Sequence, residues 1–135
     1  MRELIQYLMD NYYAQYRGTR DDVIPTAEQL EAAINNHPDK IIVVRDHIGI
    51  KGMSVYLTLS DETYEHLQDT DITQVDVVKE LLKERGDNIH FVLLAAGDFR
   101  TIINGLRGVI KSKNPKTASW FSPDFKNLHK YRVRK

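Results

Sequence analysis

The chain is 135 residues long, 41 % hydrophobic and 28 % charged, with no cysteine and a formal net charge of zero. That length suits one domain with a continuous core that buries roughly 70 % of the unfolded surface, and the missing thiols exclude disulfides, thiolate zinc sites and cysteine nucleophiles. The zero conceals a split: Asp98 to Lys135 holds ten Lys/Arg against two acids, whereas residues 1–97 hold nine basic and seventeen acidic residues. Such asymmetry implies a surface that attracts phosphate, on a cofactor, a nucleic acid or an acidic partner. Acids fall within the first ten residues, with no apolar stretch of signal-peptide length and no run approaching ~18 apolar residues, so no membrane association and a cytoplasmic location are expected.

Leu4, Ile5, Leu8, Met9, Tyr12 and Tyr16 recur at helical spacing and predict an amphipathic helix ending near Gly18. Thr26, with Gln29 three residues on, has the spacing of a capping box; Leu30, Ala33 and Ile34 carry that second helix to His37-Pro38. Residues 40–45, Ile-Ile-Val-Val between charges, read as a strand buried on both faces, followed by a turn over 47–52. Residues 53–59 alternate Met, Val, Leu and Leu against Ser, Tyr and Thr, a second strand that closes a hairpin with the first. Ser60 is placed to cap a short helix over 61–67, and Asp71 with Gln74 to start another over 73–85, closed by Gly86.

Residues 89–96 are the most apolar run and predict the central strand. Asp98 would cap the next helix, with Phe99, Ile102, Ile103, Leu106 and Ile110 as its buried stripe and Arg100, Arg107 and Lys111 pointing elsewhere. Gly105 and Gly108 each cost a helix about 1 kcal/mol against alanine, which suggests close packing on a sheet. Asn114-Pro115 ends this helix; a strand over 116–121, a turn at Ser122-Pro123-Asp124 and a final alternating strand over 128–134 complete the chain. The expected class is α/β (α+β): one domain over residues 1–135 with a mixed, mostly antiparallel central sheet flanked by helices.

That order resembles the GCN5-related N-acetyltransferase fold, from the second helix through the hairpin and most clearly over residues 89–121. The resemblance implies a central strand that splays from its neighbour, and acetyl-CoA lying along Leu94, Ala95, Ala96, Gly97, Asp98, Phe99 and Arg100 with its pyrophosphate on backbone N–H groups. A helix N-terminus offers such donors and a partial positive charge whatever the family. The terminal run Lys116-Thr-Ala-Ser-Trp-Phe-Ser-Pro-Asp with His129-Lys-Tyr-Arg looks like small members encoded by phages and prophages. The chain departs from the family pattern in having only Gly97 in the phosphate loop, with Asp98 beside it. It has no strand before the first helix, a fourth helix reduced to residues 122–127, and two extra helices before the central strand. Two functions stay open: acyl transfer from acetyl-CoA to an amine acceptor, or the fold retained as a binding or assembly protein with catalysis lost.

For acyl transfer the resemblance points to His90, at the start of the central strand, as the base, and to Tyr56 and Tyr131 as candidate acids; plain packing or hydrogen bonding is the alternative for each. The five histidines are scattered without metal-ligand spacing, so no metal is expected. For binding, Lys126 to Lys135 interleaves Lys126, Lys130, Arg132, Arg134 and Lys135 with Phe125, His129 and Tyr131, which suits a nucleic-acid backbone with stacked bases. The same charges would equally protect an edge strand from aggregation. The acidic stretch Asp61-Glu62, Glu65, Asp69, Asp71, Asp76 is a solvated helical face, or a partner for a basic protein or for the basic tail of a second copy in a homodimer. Of Trp120 and Phe121, neighbours on one strand, one is expected in the core and the other exposed at an interface.

Overall fold

The computed structural model describes residues 1–95, 99–121 and 126–134. Five strands, β1 (Ile41–Arg45), β2 (Ile50–Leu59), β3 (Asn88–Ala95), β4 (Thr117–Phe121) and β5 (Leu128–Arg132), form one sheet in that spatial order. All neighbours are antiparallel except β3 and β4, which run parallel and are joined by helix α5 (Phe99–Lys113). The expected class of a mixed, mostly antiparallel sheet flanked by helices is what the chain adopts.

One face of the sheet carries the larger core. Met53, Val55, Leu57 and Leu59 of β2 point there, against Ile5 and Leu8 of α1 (Arg2–Asn11), Leu30, Ala33 and Ile34 of α2 (Ala27–Ile34), Tyr64 of α3 (Asp61–Glu65) and Val78 of α4 (Val75–Leu81). The other face is covered by α5, whose Leu106, Val109 and Ile110 pack with Ile42, Tyr56, Ile89, Phe91 and Ala118. The period-2 alternation of β2 therefore sorts its residues between two cores rather than between core and water; Ser54, Tyr56 and the apolar set are all buried.

Local signals resolve as the residue chemistry requires. Thr26 and Gln29 form the full capping box at the start of α2, and the Ser60 hydroxyl accepts from the Thr63 amide at the start of α3. Asn114 closes α5 in the left-handed region, φ 45°, where asparagine is tolerated.

Several expectations are corrected. The first α-helix stops at Asn11 and a 3-10 turn covers Tyr13–Tyr16. That tighter turn eclipses positions i and i+3 and so buries both Tyr13 and Tyr16. The strand expected to be dry on both faces, β1, is only partly buried, because it is the sheet edge. The helices expected over 61–67 and 73–85 are shorter, and Asp71 caps Thr73 in a local turn while Gln74 makes no side-chain cap. Gly86 closes no helix. Its Cα passes so near Leu59 that any added Cβ would overlap the Leu59 carbonyl carbon and oxygen, so glycine is needed for backbone approach. The two helical glycines also separate: a Cβ at Gly105 would lie 3.1 Å from Ile42 Cγ2, whereas Gly108 faces open space.

Polar groups fasten the end of the sheet where β2, β3 and β4 meet. Buried Asn88 donates to Leu59 O (3.1 Å) and Asp61 Oδ1 (2.9 Å) and accepts from Thr117 Oγ1 (2.8 Å). Lys116 Nζ donates to the same Asp61 carboxylate at 3.2 Å, and these two partners, Asn88 foremost, hold that carboxyl below the usual range. Buried Lys40 sends Nζ to Leu82 O (2.6 Å) and Glu84 O (3.0 Å), satisfying orphan carbonyls past the end of α4.

These glycine environments give opposite mutational signs. Gly108→Ala is expected to stabilise by about 0.5–1 kcal/mol through helix propensity, and Gly86→Ala to destabilise by at least about 2 kcal/mol through backbone displacement. Urea unfolding of the two variants measures both, and equal midpoints would refute the distinction.

Candidate functional site

The three residues expected to serve acyl transfer do not converge. His90 lies on β3 facing the larger core, with 0 % exposure. Its Nδ1 is 2.7 Å from Ser119 Oγ on the adjacent parallel strand, its ring meets Phe121 edge-on at 5.5 Å, and its Nε2 has no hydrogen-bond partner. Burial first, and the Lys130 charge second, hold its pKa at about 3, so the imidazole is neutral. A ring without exposed surface meets no amine in this arrangement. Tyr56 lies on the opposite face of the sheet, 3 % exposed, with its hydroxyl donating to Asp39 O at 2.7 Å. Burial raises its pKa, assisted by the Asp39 charge. Tyr131 is on β5, two strands away from β3 and three from β2, and is exposed.

The segment expected to hold CoA falls largely outside the described residues: Ala96, Gly97 and Asp98 are not among them, and with them goes the Asp98 cap. The backbone of Leu94 and Ala95 continues β3, and that of Phe99 and Arg100 begins α5. The last parallel pair between β3 and β4 is Phe91 with Trp120, while β3 runs four residues further, to Ala95. On its other side β3 follows β2 throughout, with one extra residue, Val92, where the register shifts between Val55 and Tyr56.

What the fold does bring together is a row of aromatic rings. Ala118 belongs to the cluster beneath α5, so Trp120, two residues on, shares that face. Across the β4–β5 pair His129 stands opposite Trp120, and Tyr131 stands opposite Ala118. The Trp120 and Tyr131 rings stack at 5.0 Å and 12°, and the His129 ring lies 5.8 Å from Trp120 at 31°. Trp120 is 36 % exposed and Tyr131 56 %. Phe121 turns to the other face and packs against the larger core, so the pair divides as alternation requires.

The elements next to this row carry cations. On α5, Arg100, Arg107 and Lys111 are exposed and recur at i, i+7 and i+11, one stripe of the helix. None of the three forms an ion pair among the described residues. On β5, Lys130 Nζ sits 4.6 Å from the Tyr64 ring, Arg132 donates to Arg134 O, and Arg134 pairs with Asp87. Among the described residues no cluster of His, Asp and Glu is arranged to hold a metal, and no helix is long and apolar enough to cross a membrane.

The stripe on α5 is readable from its spacing. The ring row is not, because it needs the β4–β5 register, a pairing between two separate strands. Comparison with protein-family models, with curated proteins and with solved structures finds no match. Function is therefore argued from these side chains and their geometry.

His90 gives the site a pH signature. Its folded pKa lies below the ordinary value near 6.5, so the unfolded chain takes up the proton first, and stability is lost as pH falls from about 6.5 toward 3. Between pH 7 and 5 this one group should cost roughly 2 kcal/mol. Urea unfolding of the protein and of His90→Asn at both pH values checks it: the variant should lose most of that difference, and parallel losses would remove His90 as its source.

Proposed function

We propose that this chain is a polyanion-binding protein of the cytoplasm that engages nucleic acid through its basic C-terminal third. One observation carries the reading: three exposed cations in a single helical stripe, with no acidic partner among the described residues, on the helix that packs against the sheet face bearing an open aromatic row. Unpaired cations aligned on a helix repel each other when no ligand is bound, and a phosphate backbone relieves that repulsion while releasing counterions. The scattering of His90, Tyr56 and Tyr131 over two faces and three strands favours binding over catalysis by these side chains. The acidic remainder of the molecule would set the orientation of approach and discourage attachment through the opposite side.

Retention of a 30-nucleotide DNA oligomer should fall steeply with salt. Each phosphate contact contributes about 0.7 to the slope of log K against log salt for single strands, so Arg107→Ala with Lys111→Ala should reduce that slope by about 1.4 and weaken binding at low salt. Binding that is absent at low salt, or unchanged in slope by the double variant, would sink the reading.

Acyl-CoA-dependent transfer to an amine is the second reading, supported by the run of β3 four residues past its last parallel partner. A thioester ligand would use the amides of that stretch and of the α5 N-terminus, with the carbonyl polarised by a backbone N–H. It asks little of side chains, so the distribution of His90, Tyr56 and Tyr131 does not bear on the binding step. Thermal unfolding with millimolar acetyl-CoA tests it: saturable ligand should raise the midpoint by a few degrees, and no shift with CoA or acetyl-CoA would remove it.

A further inference from the structure

The aromatic row leaves much apolar ring surface in water. A tryptophan ring contributes most when its large apolar surface leaves water, yet Trp120 keeps more than a third of its surface exposed and Tyr131 more than half. Both lie on the face that α5 covers elsewhere. The helix packs Gly105 over Ile42 and Val44 of β1 and shares a cluster with Tyr56, Ile89 and Ala118, leaving the outer part of β4 and β5 open. On that open part the rings are already ordered against each other. Trp120 and Tyr131 are near-parallel, and the His129 ring lies 5.8 Å from Trp120. A parallel stack held on a rigid sheet presents flat π surface in a fixed orientation, with little conformational entropy left to lose on binding.

We propose that the His129–Trp120–Tyr131 row is a stacking platform for the bases of single-stranded nucleic acid, with the basic excess of the C-terminal third attracting the strand. This rests on the polyanion-binding reading above and narrows it to one class of strand. A duplex keeps its bases paired and stacked inside and offers phosphates alone, whereas a single strand can splay bases onto aromatic side chains of a sheet. Charge complementarity selects the same occupant. The row belongs to the basic third of the chain, where ten Lys/Arg stand against two acids, while Lys130 and Arg132, alternating with Tyr131 on β5, face the other side of the sheet. An acidic peptide would satisfy those cations but would leave three aligned rings without partners of matching shape.

Trp120 is the single tryptophan of the chain, so intrinsic emission reports directly from the platform. The protein is titrated at low salt with a 12-nucleotide single strand, an abasic strand of equal length and charge, a 12-base-pair duplex and polyglutamate. The single strand should quench Trp120 and bind at least about 10-fold more tightly than the abasic strand, since a stacked base is worth one to three kcal/mol. Tyr131→Ala should weaken the single strand by about 5- to 10-fold and leave the abasic strand unaffected, while Tyr131→Phe should restore binding. If the single and abasic strands bind equally with Trp120 emission unmoved, the platform is overturned and the polyanion reading survives. If neither binds, both fall. A duplex that binds as tightly as the single strand, or polyglutamate that binds more tightly, also overturns the proposal.

Discussion

Two neighbouring strands that run in the same direction cannot be joined by a tight turn, and that constraint organises the molecule. The chain leaving β3 must return along the sheet before entering β4, and α5 is the segment that does so. It packs over β1 and β2 and reaches Ile89 and Ala118, so where it lies, rather than how long it is, leaves the outer half of β4 and β5 open. The opposite face has no such limit, because α1, α2 and α4 all contribute to it and bury one continuous cluster. One sheet thus acquires a fully dressed face and a half-dressed one, and the half-dressed face carries the rings.

Charge follows the same division. The acidic excess lies in the segments that build the larger core, while the basic excess begins with α5 and runs through β4 and β5. Among the described residues, acids of the first region meet cations of the second at Asp61 with Lys116 and Asp87 with Arg134. These joints sit where β3 and β4 begin, beside the Asn88 network, so they secure the end of the sheet remote from Trp120. Among the described residues, Arg100, Arg107 and Lys111 of α5 are left without acidic partners.

The buried polar residues separate structure from chemistry. Lys40, Asn88 and His90 are all withdrawn from water, but Lys40 and Asn88 spend their hydrogen bonds on carbonyls and side chains that close helix and strand ends. His90 completes only half of its capacity, through Ser119, and remains neutral because burial opposes its charge. Its residue type suggests a base; its burial leaves it a hydrogen-bonded link between β3 and β4.

Local chemistry settled a good deal in advance. The capping box at Thr26, the Ser60 cap, the Asn114 stop, the alternation in β2 and the apolar run of β3 each depend on residues within a few positions of one another, so they are legible from composition and spacing. The charge split and the α5 cation stripe are legible for the same reason. Gly86, the two helical glycines and the three rings are different. Gly86 is defined by Leu59, Gly105 by Ile42, and Trp120 by His129 and Tyr131, contacts made between separate elements. Whether a given histidine or tyrosine reaches solvent depends on what packs above it. For His90, Tyr56 and Tyr131 that was decided by strand order and by where the crossover helix packs, because exposure is a property of the assembled layers and not of the residue.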